Sequence, residues 1–216
     1  MSDSTLLLFD LDGTLVDSMS DIHHSANLLL AEYGLDPLGK DQLRPCIGQG
    51  VRYLVATMLE AAGWEGGDVD AAIARYRTLY ATHALDSTGP YPGVREGLAQ
   101  LARLPMAVIS NKPEAATREI LHALDLAQFF RHVAGGDSYP EMKPSPLPLQ
   151  RVIEAAGADN GHSWMIGDSS YDIEAGKAAG VNTMAVTWGF QPVETLKALK
   201  PDRVVSAFDE IVEMLA

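Results

Sequence analysis

Cysteine is almost missing from this sequence of 216 residues, in which Cys46 is the only one. An internal disulfide needs two cysteines, so none is possible, and this usage is typical of proteins in a reducing compartment. Cys46 stands between Pro45 and Ile47 with no activating group beside it. We therefore expect a small buried hydrophobic side chain there and not a nucleophile.

Long hydrophobic runs are also missing. No apolar stretch approaches the ~18 residues of a membrane-spanning helix. The chain does not open on a basic segment followed by an apolar stretch and a cleavage site. These two absences predict a cytoplasmic protein without a membrane partner.

Positive charge is scarce, with 16 Lys and Arg against 29 Asp and Glu and a formal net charge of −13. Such a surface repels the phosphates of nucleic acids and anionic membranes, so we expect neither as a partner. A small anionic substrate would need local cations or a metal ion to reverse the field. With 47% hydrophobic and 21% charged residues, the composition is that of an ordinary globular protein.

The hydrophobic pattern divides the chain into three parts. A short apolar run at 5–9 predicts a buried strand, and 17–85 carries only helical periodicity. From residue 94 onward, strand and helix signals alternate. The predicted strands of that part are 106–109, 132–134, 164–166, 183–186 and 204–205, and the predicted helices are 94–102, 114–124, 146–156, 171–179 and 208–215.

This alternation predicts the α/β class, as a Rossmann-like doubly wound parallel sheet with right-handed crossovers. A small α-helical domain is inserted after the first strand. The expected boundaries are 1–16 and 86–216 for the α/β domain and 17–85 for the helical one.

Polar residues follow several of the predicted strands, where an open α/β sheet binds ligands. These residues are Asp10 and Asp12, Ser110 and Asn111, Lys143, and Asp168 with Asp172. Two aspartates one residue apart at a strand end repel unless a cation or a shared proton relieves them. Clustered carboxylates suit Mg²⁺, which prefers hard oxygen ligands and keeps several waters. The sequence therefore predicts a magnesium site.

With Asp12-Gly-Thr-Leu-Val-Asp-Ser18, the small helical insertion, and Gly135-Gly-Asp-Ser138 leading to Lys143-Pro144, the chain resembles the phosphoglycolate phosphatase-like branch of the haloacid dehalogenase superfamily. Four segments, in order, resemble the motifs of that superfamily's phosphatases. They are Asp10-Leu-Asp-Gly-Thr14, Val108-Ile-Ser110, Lys143-Pro144 and Gly167-Asp-Ser-Ser-Tyr-Asp172. The resemblance covers essentially the whole chain. It implies a phosphatase acting on a small phosphorylated metabolite, and it implies that 17–85 is the family's small helical cap.

The resemblance also implies roles for single residues. Asp10 would be the nucleophile that forms an aspartyl-phosphate, and Asp12 the general acid and base. Mg²⁺ would be held by Asp10, the backbone carbonyl of Asp12 and Asp168, with Asp172 assisting through water or as a second layer.

Other residues would contact the substrate. Ser110, the backbone around Asn111, and Lys143 would bind the transferring phosphoryl group. In the helical insertion, the turn of Gly48 and Gly50 could face an anion, and Arg52 could recognise a carboxylate or second polar group of the substrate. The alternative interpretation is that Arg52 is an exposed side chain without a role in binding.

Several alternatives stay open. A sugar phosphomutase or a pyrophosphatase of the same superfamily would share the motifs, and a silent phosphometabolite-binding module would be a protein of another class. A dehalogenase is disfavoured because Asp12 is present. A phosphonatase is disfavoured because the insertion offers only Lys40. The six histidines are expected in surface or packing roles, Lys112 at a solvated helix start, and the oligomeric state is open between monomer and dimer.

Overall fold

The computed structural model describes residues 5–216. These divide into two compact units, one of 5–17 with 90–216 and one of 18–89. The inserted unit thus begins at 18 and ends at 89, where the sequence predicted 17 and 85. None of the helices within the described residues is long and apolar enough to cross a membrane.

The elements that the periodicity predicts occur in the predicted order, with further short elements between them. The strands are β1 (Leu7–Phe9), β2 (Val16–Asp17), β3 (Gly89–Pro90), β4 (Met106–Ile109), β5 (His132–Ala134), β6 (Trp164–Gly167), β7 (Asn182–Val186) and β8 (Arg203–Val205). The helices are α1 (Met19–Glu32), α2 (Lys40–Leu43), α3 (Gly50–Ala61), α4 (Val69–His83), α5 (Val94–Gln100), α6 (Glu114–Ala123), α7 (Leu147–Ala156), α8 (Ser170–Ala179), α9 (Val193–Ala198) and α10 (Phe208–Leu215).

In the larger unit, six strands among the described residues form one parallel sheet in the order β5-β4-β1-β6-β7-β8. Strand β1 is central, and Phe9 lies beside Val108 of β4 on one side and Ile166 of β6 on the other. Parallel neighbours require crossover connections, which the helices of this unit supply. The predicted α/β, Rossmann-like fold is confirmed.

The sheet is covered by apolar side chains on both faces. Leu7 and Phe9 belong to one core cluster, whereas Leu6 and Leu8 belong to another. Successive side chains of a strand point to opposite faces, so a strand buried on both sides must be apolar throughout. This explains the continuous apolar run before Asp10.

Helix α8 is fixed at both of its ends. At its start, Ser169 and Asp172 form a capping box, which satisfies backbone N–H groups that have no partner within the helix. At its end, Gly180 adopts a left-handed conformation with φ of 73°. These signals hold α8 directly behind the end of β6.

The smaller unit is built from α1 to α4, around a core that α1, α3 and α4 dominate. Asp68 caps α4, because its carboxylate accepts the backbone N–H of Ala71 at 3.1 Å. Cys46 is buried in this core, in agreement with its expected role as a hydrophobic side chain.

Candidate active site

Three strand ends place polar residues at one edge of the parallel sheet. Asp10 follows β1, Ser110 follows β4, and Asp168 follows β6. Because β1 lies between β4 and β6, Asp10 is central and the other two residues flank it. This is the edge at which open α/β sheets bind ligands.

Asp10, Asp168 and Asp172 form a buried group that we call the carboxylate cluster. One oxygen from each lies within 4.8 Å of the other two. Asp10 is 8% exposed, Asp168 2% and Asp172 not at all. Three negative charges this close and this dry would repel one another strongly, so the cluster needs compensating cations or bound protons.

Lys143 supplies one cation to this cluster. Its ammonium lies 3.0 Å from Oδ1 of Asp10 and 2.6 Å from Oδ1 of Asp172. It also donates to the carbonyl oxygen of Ile109 at 2.6 Å, and the residue is only 2% exposed. Lys143 therefore links the end of β4 to two of the three carboxylates.

Asn111 holds the backbone of Lys143 in place. Its side-chain amide donates to the carbonyl oxygen of Lys143 at 2.8 Å and accepts the Lys143 backbone N–H at 3.0 Å. This pair of hydrogen bonds uses both ends of the amide. The Asn111 side chain thus positions Lys143, and the sequence-based contact of the Asn111 backbone with a phosphoryl group stays a prediction.

Burial dominates the ionisation of Asp10. The pKa of Asp10 is raised to about 7, with desolvation as the largest cause; the attraction of Lys143 opposes this rise, and the charges of Asp172 and Asp12 contribute to it. Burial would lower the pKa of Lys143, but its attraction to Asp10 and Asp172 outweighs burial, and the net effect is a raised pKa. Lys143 therefore stays charged at neutral pH.

The pKa of Asp168 is also raised, first by burial and then by the charges of Asp10 and Asp172. Hydrogen bonds from the backbone of Phe190 and from Thr14 act in the opposite direction. Such a group of buried acids favours any cation that can enter it, because a cation stabilises the ionised form of every member.

Asp168 is held by donors on both of its oxygens. The Thr14 hydroxyl donates to Oδ1 at 3.1 Å, and the Phe190 backbone N–H donates to Oδ2 at 2.6 Å. Two glycines leave room for it: a Cβ on Gly13 would lie 2.3 Å from Oδ2, and one on Gly189 would lie 2.2 Å from the Asp168 Cβ. The loop after β7 thus contributes to the site through its backbone, which the motifs did not indicate.

Asp172 also accepts two hydrogen bonds from Ser169, which lies outside the cluster. Its Oδ2 accepts the backbone N–H of Ser169 at 3.0 Å and the Ser169 hydroxyl at 2.6 Å. The other oxygen faces Lys143. Asp172 is therefore both a helix cap and a member of the cluster.

Lys112 corrects a sequence-based expectation. Its side chain is 8% exposed, not solvated, and its ammonium donates to both oxygens of Asp12, at 2.9 and 3.1 Å. The Lys112 backbone N–H also donates to Oγ of Ser110 at 3.2 Å. Lys112 thus connects Ser110 to Asp12. The sequence did not indicate this pairing, because Lys112 and Asp12 are far apart along the chain.

Arg52 belongs to the other unit. It lies in α3 and pairs with Asp70 of α4, and both side chains are largely exposed, at 67% and 75%. The adjacent Gly48 and Gly50 have positive φ values of 108° and 78°. An exposed ion pair of this kind is weak, and a contact of Arg52 with the substrate stays a prediction.

The residues present fit a Mg²⁺ ion. The carboxylate cluster offers three hard oxygen ligands within reach of one ion. Oδ1 of Asp10 is buried and accepts no hydrogen bond of good geometry from the described residues, although the Lys143 ammonium lies 3.0 Å away. A buried carboxylate oxygen with a vacant lone pair is the type of ligand that a divalent cation uses.

Comparison with known proteins agrees with this geometry. The family model of the haloacid dehalogenase-like hydrolases matches residues 7–186. A phosphoglycolate phosphatase of Neisseria gonorrhoeae is 39% identical over 96% of this chain and 91% of its own length. Phosphoglycolate phosphatase 1 of Pseudomonas aeruginosa is 37% identical over 96% of this chain and 78% of its own length.

A solved structure from Haemophilus somnus, described as a predicted phosphoglycolate phosphatase, covers all of this chain with a TM-score of 0.91 and 28% identity. The sequence motifs, the parallel sheet and the relatives all agree, and they confirm the expected phosphatase branch. The chain belongs to the family of haloacid dehalogenase-like hydrolases.

Proposed function

We propose that this chain is a Mg²⁺-dependent phosphatase that hydrolyses a small phosphate monoester through an aspartyl-phosphate on Asp10. The observation that carries the proposal is the position of Lys143 between Asp10 and Asp172, inside a cluster that also includes Asp168. The Asp10 carboxylate and the phosphate ester are both anions and repel each other. Attack on phosphorus therefore needs cations that offset both charges, and the Lys143 ammonium is one such cation.

The first half-reaction forms the intermediate. A carboxylate oxygen of Asp10 attacks phosphorus, the bond from phosphorus to the ester oxygen breaks, and Asp12 gives its proton to the leaving oxygen. Lys143 offsets charge on the phosphoryl oxygens, and Ser110 donates a hydrogen bond to them. Bound Mg²⁺, held by Asp10, the Asp12 carbonyl and Asp168, would supply charge neutralisation and orientation of the phosphoryl group.

The second half-reaction restores the enzyme. Asp12, now ionised, takes a proton from a water molecule, whose oxygen attacks phosphorus. The bond between phosphorus and Asp10 breaks, which releases inorganic phosphate and the free Asp10 carboxylate. Lys112 supports this second step, since its ammonium donates to both oxygens of Asp12 and favours the ionised form that takes the proton.

Phosphoglycolate is the substrate that we propose first, because relatives that are similar over nearly the whole chain are named phosphoglycolate phosphatase. The carboxylate of phosphoglycolate would be recognised by Arg52 of the helical unit, which we propose to act as the cap. A guanidinium binds a carboxylate through two parallel hydrogen bonds. Arg52 would release Asp70 and bind the substrate carboxylate in its place. Arg52 would then determine which substrates bind.

The test is phosphate release from a panel containing phosphoglycolate, sugar phosphates, pyrophosphate and a sugar bisphosphate, with Mg²⁺ and with a chelator. We expect magnesium-dependent release, fastest with phosphoglycolate, and loss of at least 10³-fold in Asp10→Asn. Turnover of the bisphosphate without net phosphate release would favour a phosphomutase. Unchanged release by Asp10→Asn would overturn the mechanism.

The specificity role of Arg52 has its own control. Arg52→Ala should raise KM for phosphoglycolate at least tenfold while KM for an ester without a carboxylate changes little. Arg75→Ala removes another exposed ion pair of the same unit, with Glu32, and should leave both values unchanged. Equal effects of Arg52→Ala on the two esters would remove Arg52 from the proposal and leave the chemistry at Asp10 intact.

A further inference from the structure

Three potential metal ligands meet in the smaller unit. They are His24 on α1, His83 at the end of α4, and Asp86 just beyond it. One ligand atom from each lies within 4.8 Å of the other two. The two imidazole rings pack edge to face with centroids 4.8 Å apart, and Nδ1 of His83 lies 2.7 Å from Oδ2 of Asp86.

A buried anchor holds the backbone around these residues. Oδ2 of Asp21, which is 2% exposed, accepts the backbone N–H groups of Ser87 and Thr88 at 3.0 and 2.8 Å. It also accepts the Thr88 hydroxyl at 2.7 Å. Asp21 lies three residues before His24, on the same face of α1. The segment that begins at Asp86 is thereby tied to the helix that carries His24.

The chemistry of the group differs from that of the carboxylate cluster. Two imidazole nitrogens and one carboxylate oxygen suit borderline transition-metal ions such as Zn²⁺, whereas Mg²⁺ prefers oxygen ligands alone. Zn²⁺ binds nitrogen and oxygen at about 2.0–2.2 Å, so tetrahedral ligand atoms lie roughly 3.4 Å apart. His24 is exposed, and its ring can turn to close the remaining gap.

We propose that His24, His83 and Asp86 form a binding site for a transition-metal ion of the Zn²⁺ type, made of residues that the phosphatase chemistry does not use. Three protein ligands leave the fourth tetrahedral position to water or to an exogenous ligand. The ion would join α1 to the segment after α4 within this unit. Site and ion are independent of the function proposed above.

The experiment is calorimetric titration of the full chain with Zn²⁺, in the wild type and in an Asp10→Asn/Asp168→Asn background that disables the carboxylate cluster. We expect one equivalent of Zn²⁺ to bind in that background. His24→Gln and His83→Gln should each weaken it at least tenfold. Co²⁺ in the same protein should give the visible absorption of a tetrahedral site.

His162 provides the matched control. Its Nδ1 lies 3.0 Å from Oδ1 of Asp159, again a His and Asp pair three residues apart. Among the described residues this pair has no third metal ligand within the same reach. His162→Gln should therefore leave Zn²⁺ affinity unchanged. The proposal is overturned if the background protein binds no Zn²⁺, if His24→Gln and His83→Gln bind it as tightly as their parent, or if His162→Gln weakens binding equally.

Discussion

The Lys112 ammonium donates to both carboxylate oxygens of Asp12, at 2.9 and 3.1 Å, although the two residues are 100 positions apart. Asp12 lies in the loop after β1 and Lys112 in the segment after β4, so this contact ties the Asp12 carboxylate to the end of a second strand. In the proposed mechanism, a general acid must reach the leaving oxygen within hydrogen-bond distance. Lys112 thus acts on the reaction through Asp12.

Replacement of Lys112 by Ala should lower kcat by about tenfold or more with a smaller change in KM, because a freely rotating Asp12 carboxylate is less often in position to take the proton from water. Lys112→Arg, which can still donate two hydrogen bonds, should recover part of the rate. Lys197→Ala is the control, since Lys197 is half exposed and pairs with Glu194 on its own helix. Equal rates for Lys112→Ala and the wild type would contradict this role.

The stability of the metal-free protein should fall as the pH rises from about 4 to about 7. The pKa of Asp10 is raised to about 7 by burial, whereas an unfolded chain has its ordinary value near 3.9. In this window the folded protein retains a proton that the unfolded chain has released, which gives a slope of up to ~1.4 kcal/mol per pH unit. Asp168 acts in the same direction.

Urea unfolding in a chelator at several pH values measures this slope. Asp10→Asn should flatten it, because an amide does not titrate. Mg²⁺ should restore stability most at the alkaline end, where the carboxylates are ionised and can bind it. A slope in Asp10→Asn as steep as in the wild type would show that Asp10 is not its source.

Thr14→Val removes the hydroxyl donor to Asp168 with almost no change in side-chain shape. A carboxylate that loses such a partner is less well oriented as a ligand, and we expect Mg²⁺ affinity to fall by about 10–100-fold. Calorimetric titration with Mg²⁺ measures this without turnover. Thr117→Val is a matched control, because Thr117 is fully buried and its hydroxyl has no hydrogen-bond partner within the described residues. Equal affinities in the two variants would exclude the proposed role of Thr14.

Gly13→Ala should abolish the thermal stabilisation that Mg²⁺ gives. Gly13 has φ of 85°, and an added Cβ would lie 2.3 Å from Oδ2 of Asp168, so Asp168 must move. Gly180→Ala carries a similar backbone strain, with φ of 73°, but its Cβ would meet nothing within 4 Å. That control should lose about 1 kcal/mol of stability and keep the response to Mg²⁺. A normal response in Gly13→Ala would contradict the contact with Asp168.

The sequence alone predicts the parallel sheet, because strands such as β1 and β4 are short apolar runs that end abruptly in polar residues. It also predicts that Asp10, Ser110 and Asp168 lie at one edge, since parallel strands end on the same side. Helix α9 was not predicted, because its six residues are too few to show a period. Helix α2, with four residues, was missed for the same reason.

Other parts of the site leave no mark on the sequence pattern. The Phe190 N–H that binds Asp168 is a backbone donor, which every residue except proline has. Lys112 follows the pattern of a solvated helix start, and only the folded chain brings Asp12 to it. His24 and His83 are far apart in sequence, so no motif spacing indicated that they could bind one metal ion.

Trp188 offers a spectroscopic view of the site. Its indole N–H donates at 3.1 Å to the carbonyl oxygen of Thr14, the residue whose hydroxyl binds Asp168. Indole emission responds to the polarity and hydrogen bonding around the ring. Trp188 is therefore a native fluorophore that Thr14 links, through two hydrogen bonds, to the proposed metal ligand Asp168. With Trp64 and Trp164 changed to Phe, loading of the site with an ion becomes visible in the emission of the unlabelled protein.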